Sequence, residues 1–258
     1  MDVRRRLTED EARIILKQIV IGLRDINKGK VIHRDMKLAN ILLHFPGEDL
    51  LALKKDERKQ FLKNVNLIET PFEIKISDFG FAKAKNLPGE NREHSICGTP
   101  AYMAPDQVVG KDTHYTEKFD IWALGAMFYE LLIGIPPFIE RTIEKFKHKL
   151  YEGSYEFPEN VEITPEGILF ISRCLQYKEE NRASIFELQG DPYIRTFKPK
   201  KKELGNMNTF LTSDEFEKSS MRTEVSTDTG AGSKLKEPKL SKMRTQTGSV
   251  VENHELRT

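Results

Sequence analysis

The sequence predicts a mainly α-helical fold carrying short β hairpins, and three stretches carry that expectation. Residues 8–28 set Ala12, Ile15, Leu16, Ile19, Leu23 and Ile26 at helical spacing, which gives one apolar face. Residues 115–134 are apolar on nearly every side, and such a helix belongs inside a core. Between these two helices, Val31-Ile32 and Ile41-Leu42-Leu43 flank a polar loop, the pattern of two short strands presenting side chains at one spot. With 258 residues and 38% hydrophobic content, the chain can build a sizeable core.

Composition excludes several classes. A formal net charge of +1 offers no global field for nucleic acid or a membrane surface. Two scattered cysteines, Cys97 and Cys174, cannot make a disulfide framework or a metal cluster. They read as reduced thiols of a cytoplasmic protein. The opening Met1-Asp2-Val3-Arg4-Arg5-Arg6 lacks an apolar signal region. No apolar run reaches the ~18 residues of a membrane span.

Taken in order, Thr8-Glu9-Asp10-Glu11 forms a capping box at the start of the first helix, and Gly29 supplies its stop. Ile74-Lys75-Ile76 alternates as a strand. The buried helix of 115–134 is expected to end at Pro136-Pro137-Phe138. Two amphipathic helices follow at about 141–151 and 165–176, the second with Thr164 as cap and Pro165 in its first turn. From about Lys198 onward Ser, Thr, Lys and Glu dominate and periodicity ends, so 198–258 reads as a disordered tail.

The polar loop reads His33-Arg34-Asp35-Met36-Lys37-Leu38-Ala39-Asn40, that is H-R-D-x-K-x-x-N, and Ser77-Asp78-Phe79-Gly80 follows downstream. Both motifs, in order and each after an apolar strand-like run, resemble the catalytic loop and the D-F-G of eukaryotic protein kinases. Lys37 and the Gly98-Thr99-Pro100 run resemble the serine/threonine type. Further matches are Ala104-Pro105-Asp106 where the family has A-P-E, Asp120 to Gly125 as D-x-W-x-x-G, the late Arg182, and Asp191-Pro192-Tyr193-Ile194. Asp106 departs from the family by one methylene.

The resemblance implies an ATP- and Mg2+-dependent transfer of phosphoryl groups to serine or threonine hydroxyls of protein substrates. It implies Asp35 as acceptor of the substrate proton, Lys37 as holder of the transferring group, and Asn40 and Asp78 as ligands of magnesium, a hard cation that prefers oxygen. Leu42, Met127 and Leu131 would lie beneath the adenine. Arg34 would meet a phosphate on the activation segment, with Ser95 the best acceptor and Thr99 nearby. His33 and Phe79 would pack behind the loop, Asp120 would anchor its backbone, and Asp106 would pair with Arg182.

The family's glycine-rich G-x-G-x-x-G-x-V and V-A-x-K strands have no counterpart in the sequence. The resemblance therefore covers residues 1–197 as a C-terminal lobe with its N-terminal lobe absent. Asp35 and Asp78 lie farther apart than in the family pattern, and the excess is an insertion at 44–72. It carries the charged run Lys54-Lys55-Asp56-Glu57-Arg58-Lys59 and reads as a partly helical excursion packed on the lobe, or as a docking surface. With the Gly80-Phe81-Ala82-Lys83 run, the insertion resembles protozoan kinases related to the autophagy-initiating family. The alternative to an enzyme is a kinase-derived scaffold that binds without catalysing.

Overall fold

The computed structural model describes residues 4–84, 99–109 and 116–199. Ser95 and Cys97, and nearly all of the tail read from 198 onward, lie outside these residues. Helix α1 (Glu9–Lys28) opens with a complete capping box: the Thr8 hydroxyl accepts from the Glu11 amide, and the Glu11 carboxylate accepts from the Thr8 amide. Its apolar face buries Ala12, Ile15, Leu16, Ile19, Val20 and Leu23, and Gly29 caps its end. Glu9, on the polar side of the first turn, accepts from the Thr164 amide at 2.8 Å and from the Tyr193 hydroxyl at 2.5 Å. One carboxylate thereby ties the first helix to two late ones.

Strands β1 (Val31–Ile32) and β2 (Ile41–His44) flank the polar loop, but they do not pair with each other. β2 pairs antiparallel with β3 (Glu73–Ile76), Ile41 opposite Ile76. β1 pairs antiparallel with β4 (Lys83–Ala84), Val31 opposite Ala84. The arrangement has a consequence for the site. Chain enters the Asp78 turn from β3 and leaves through β4, so both sides of that turn are stitched to both sides of the polar loop.

Helix α4 (Lys118–Ile133) is the bed on which the rest lies, packing on α1 and on α6 (Pro165–Cys174). Trp122, Leu124, Met127 and Phe128 are essentially without exposure. A Cβ on Gly125 would stand 2.5 Å from the Cys174 Cβ, so only glycine lets α4 and α6 approach this closely. The expected proline stop is not what ends α4. Gly134 ends it, at φ 92° in the left-handed region, with its amide on the Glu130 carbonyl. Glycine is required there twice over, because a Cβ would also meet the Arg5 carbonyl oxygen at 2.4 Å.

The remaining helices are short: α3 (Pro105–Val109), α5 (Ile143–Glu152), α7 (Ile185–Gly190) and α8 (Pro192–Arg195). α6 has Thr164 as N-cap and proline in its first turn. Among the described residues no helix is long and apolar enough to cross a membrane.

Between β2 and β3 the chain forms α2 (Lys55–Asn64), none of whose residues is fully buried. Its flanks anchor it instead. Phe45, Leu67 and Phe72 are buried, and Phe45 meets the Phe61 ring edge-on at 5.3 Å. Gln18 of α1 clamps the return, donating to the Phe72 carbonyl at 3.3 Å and accepting from the Ile74 amide at 2.9 Å. Helix outside, aromatic root inside: the segment is fastened to the core rather than looped out from it.

Candidate active site

The polar loop is held from below. Asp120, buried near the start of α4, accepts from the His33 amide at 2.8 Å and the Arg34 amide at 3.0 Å. A buried carboxylate must be satisfied by donors, and here the donors are the backbone of the loop itself. That anchor holds Arg34 at φ 67°, a left-handed conformation that a non-glycine residue adopts only when its surroundings impose it. Arg34 Nε in turn donates to the Phe81 carbonyl. The imidazole of His33, fully buried, lies 3.1 Å from the Ser77 carbonyl through Nε2, and its ring is 4.8 Å from that of Phe79. Phe79 itself is 48% exposed.

Asp35 is 4% exposed and several donors converge on it. Lys37 Nζ donates to Oδ2 at 2.6 Å and the Thr99 hydroxyl donates to Oδ1 at 3.1 Å. Asn40 Nδ2 donates to the Asp35 carbonyl at 2.9 Å, with a longer 3.4 Å approach to Oδ2. The Asn40 amide nitrogen is thus committed to Asp35, and its amide oxygen remains an acceptor. Behind it, the Asn40 carbonyl takes both the amide and the hydroxyl of Ser77, at 2.9 and 3.1 Å. The polar loop and the strand that delivers Asp78 are therefore locked together one residue before Asp78.

Asp78 itself is exposed, at φ 65° and ψ 71°, and its Oδ1 accepts from the Gly80 amide at 3.4 Å. Asn40 Oδ1 and the Asp78 carboxylate supply hard oxygen donors on neighbouring segments, the donor chemistry that a magnesium ion requires. The residues present fit such an ion.

Thr99 lines a narrow cleft with space for about one water, together with Arg34, Asp35, Tyr102, Gln107 and Phe119 among others. The Tyr102 hydroxyl donates to the Glu130 carboxylate of α4. Burial pushes both groups upward in pKa, Tyr102 far beyond its ordinary value. Next along the chain, Asp106 receives the Arg182 guanidinium, whose side chain is wholly buried. Arg182 also donates to the Gln176 carbonyl at 2.7 Å and the Tyr177 carbonyl at 2.9 Å, and stands 5.3 Å above the Trp122 ring. Burial lowers its pKa while Asp106 acts against that shift. The shorter acid at 106 still spans the gap.

Asp35, Lys37, Asn40, Thr99 and Asp120 thus come together, and Asp78 adjoins them. Leu42 stands at the surface, 49% exposed. Met127 and Leu131 are buried within the core. Three contacts lay beyond sequence reasoning: the Thr99 hydroxyl on Asp35, the Tyr102–Glu130 pair, and Arg34 on the Phe81 carbonyl. Gly98-Thr99-Pro100 was visible as a motif, yet nothing in its spacing says where the hydroxyl points.

Comparison with known proteins bears directly on this geometry. A family profile described as protein kinase domain matches residues 2–194. The chain is 34% identical over 193 residues to serine/threonine-protein kinase PLK1 of Xenopus tropicalis, covering 75% of this chain and 27% of that protein. It is 34% identical over 197 residues to the cell cycle serine/threonine-protein kinase CDC5/MSD2 of Saccharomyces cerevisiae, covering 76% and 24%. It is 31% identical over 192 residues to the probable serine/threonine-protein kinase CCRP1 of Zea mays, covering 74% and 26%. The chain spans about a quarter of the length of these relatives.

Proposed function

This chain belongs to the protein kinase family, in its eukaryotic serine/threonine group, and on that premise we propose that it carries the C-terminal, substrate-facing part of a phosphoryl-transfer site. The observation that carries the reading is the convergence of Lys37, Thr99 and Asn40 on the buried Asp35. Phosphoryl transfer asks a protein mainly to position groups and neutralise charge. Asp35, held on both oxygens, is oriented to accept the proton of a serine or threonine hydroxyl of a protein substrate as that oxygen bonds to the γ-phosphorus of ATP and the bond from that phosphorus to the bridging oxygen breaks, ADP leaving with the electron pair. Lys37, kept at the site by Asp35, would meet the transferring group with a positive charge. Asn40 and Asp78 would hold magnesium, which when bound neutralises the phosphate oxygens of ATP.

The roof of such a site needs a glycine-rich strand pair, which this sequence does not contain. The half-exposed Leu42, Leu43, Phe79 and Phe81 support the view that residues 1–197 act beneath an N-terminal lobe. Arg34 we assign to a phosphate on the activation segment, with Ser95 its acceptor. Ser95→Ala and Arg34→Ala should each lower activity, and parental activity in both would remove that switch.

The test of the main proposal uses a polypeptide that includes a complete N-terminal lobe. Asp35→Asn and Asp78→Asn should each nearly abolish radiolabelled phosphate transfer while the circular dichroism spectrum stays that of the parent. Transfer close to parental in either variant overturns the assignment.

A further inference from the structure

The segment between β2 and β3 carries a surface that phosphoryl transfer does not use. Its inner side is anchored by buried Phe45, Leu67 and Phe72, and by Arg4, whose guanidinium donates to the Val65 carbonyl at 3.3 Å. A side fixed this way holds the outer side of α2 in place. That outer side presents Lys55, Lys59 and Lys63, all exposed. Residues spaced by four share one side of a helix, and at the helical rise these lysines stand about 6 Å apart along about 12 Å of axis.

Among the described residues none of the three pairs with a carboxylate, whereas Lys75 pairs with Glu73 at 2.8 Å and Lys149 with Glu140 at 3.8 Å. The acids of the same helix are placed otherwise. Glu57 accepts from the Lys54 amide at 2.8 Å, capping the first turn, and exposed Asp56 borders the stripe.

We propose that this lysine stripe docks an acidic segment of a partner protein, bound extended with carboxylates on alternate residues. In an extended chain alternate side chains point the same way about 6.6 Å apart, close to the lysine spacing. A peptide with three such carboxylates matches the length of the stripe, whereas a long uniform polyanion such as a nucleic acid would extend beyond it, and the net charge of +1 gives it no wider field to follow. This surface lies apart from the transfer site, so the proposal stands or falls independently of it.

The experiment is fluorescence anisotropy at low salt, using the full 258-residue chain and a labelled peptide of alternating glutamate and serine. Saturable binding is expected, falling about tenfold or more when Lys55, Lys59 and Lys63 are all replaced by Glu, and falling as salt is raised. Asp56→Asn should tighten binding, because it removes a like charge that borders the stripe. Replacing the exposed Lys145 and Lys147 of α5 by Glu should leave it unchanged. Undiminished binding by the triple variant, an equal loss in the α5 control, or tighter binding of an equally charged single-stranded DNA to the same lysines overturns the proposal.

Discussion

Asp35 and Asp78 each follow an apolar strand and each stand in a polar turn, yet the protein holds them very differently. Asp35 is buried and receives a lysine, a threonine hydroxyl and an amide. Its loop is bolted to α4 through Asp120, with two backbone amides on one carboxylate. Asp78 is exposed, and among the described residues its carboxylate has the long contact to the Gly80 amide. What positions Asp78 is mostly backbone: β3 before it, β4 after it, and the Ser77–Asn40 lock. The half of the site that would take a proton is organised by the α4 bed. The half that would face metal is left open and aimed by strands. Preorganised polar groups reach their geometry without rearrangement at the moment of reaction, so the two halves should respond differently to mutation.

The largest effect should come from Arg182, because the segment that brings Thr99 onto Asp35 runs directly into Asp106, and Arg182 holds Asp106 down. Arg182→Ala removes a buried guanidinium and its ties to Asp106 and two carbonyls. Breaking a buried pair costs about 3–5 kcal/mol, which for a domain of this size lowers Tm on the order of 10 °C. Arg182→Lys should recover little of it, since one ammonium cannot replace the guanidinium fork. A loss below about 1 kcal/mol in thermal unfolding would mean that the bed does not depend on this tie.

Asp120 comes next. Asp120→Asn keeps the shape but leaves a single acceptor oxygen for two amides, so one buried donor loses its partner at a cost of about 1–3 kcal/mol. Released, Arg34 should relax from its positive φ. Hydrogen exchange read residue by residue should then speed up at the His33 and Arg34 amides. Unchanged protection at both would break the contrast drawn above, because the loop would be rigid without its anchor.

The order of effects also explains what was legible in the sequence. Residues 33–40, Asp78, Asp120 and the 106–182 pair were legible through their resemblance to protein kinase motifs, and the apolar runs beside them placed those motifs on strands and helices. The boundaries of α1 and the start of α6 were legible for a local reason, since Thr8, Glu11 and Thr164 satisfy backbone donors within a few residues of themselves, and Pro165 adds no first-turn donor that needs a partner. Strand partnership was not. β1 and β4 have two residues each, too few to carry a period, so nothing in the chain says that β1 would seek Lys83 rather than Ile41. Long-range polar ties were hidden as well: Glu9 with Thr164 and Tyr193, Gln18 with Phe72 and Ile74. Each looks in sequence like an ordinary surface residue of an amphipathic helix.

The smallest effect is the most discriminating. Asp35→Asn and Asp78→Asn are the same chemical change at the two ends of the comparison. At position 35 it turns a charge-assisted contact with Lys37 into a neutral one and forces the new amide to share space with Asn40, a loss of about 1–2 kcal/mol. At position 78 the side chain is exposed and asparagine tolerates the left-handed backbone about as well as aspartate does, so stability should move by less than about 0.5 kcal/mol. Chemical denaturation of the two variants beside the parent reads the difference as a shift in midpoint at unchanged slope. Equal destabilisation would show that Asp78 is held as firmly as Asp35, by partners beyond the Gly80 amide. If instead Asp78→Asn is silent in stability and severe in transfer, the exposed aspartate is present for chemistry alone, while Asp35 serves the fold of its loop as well.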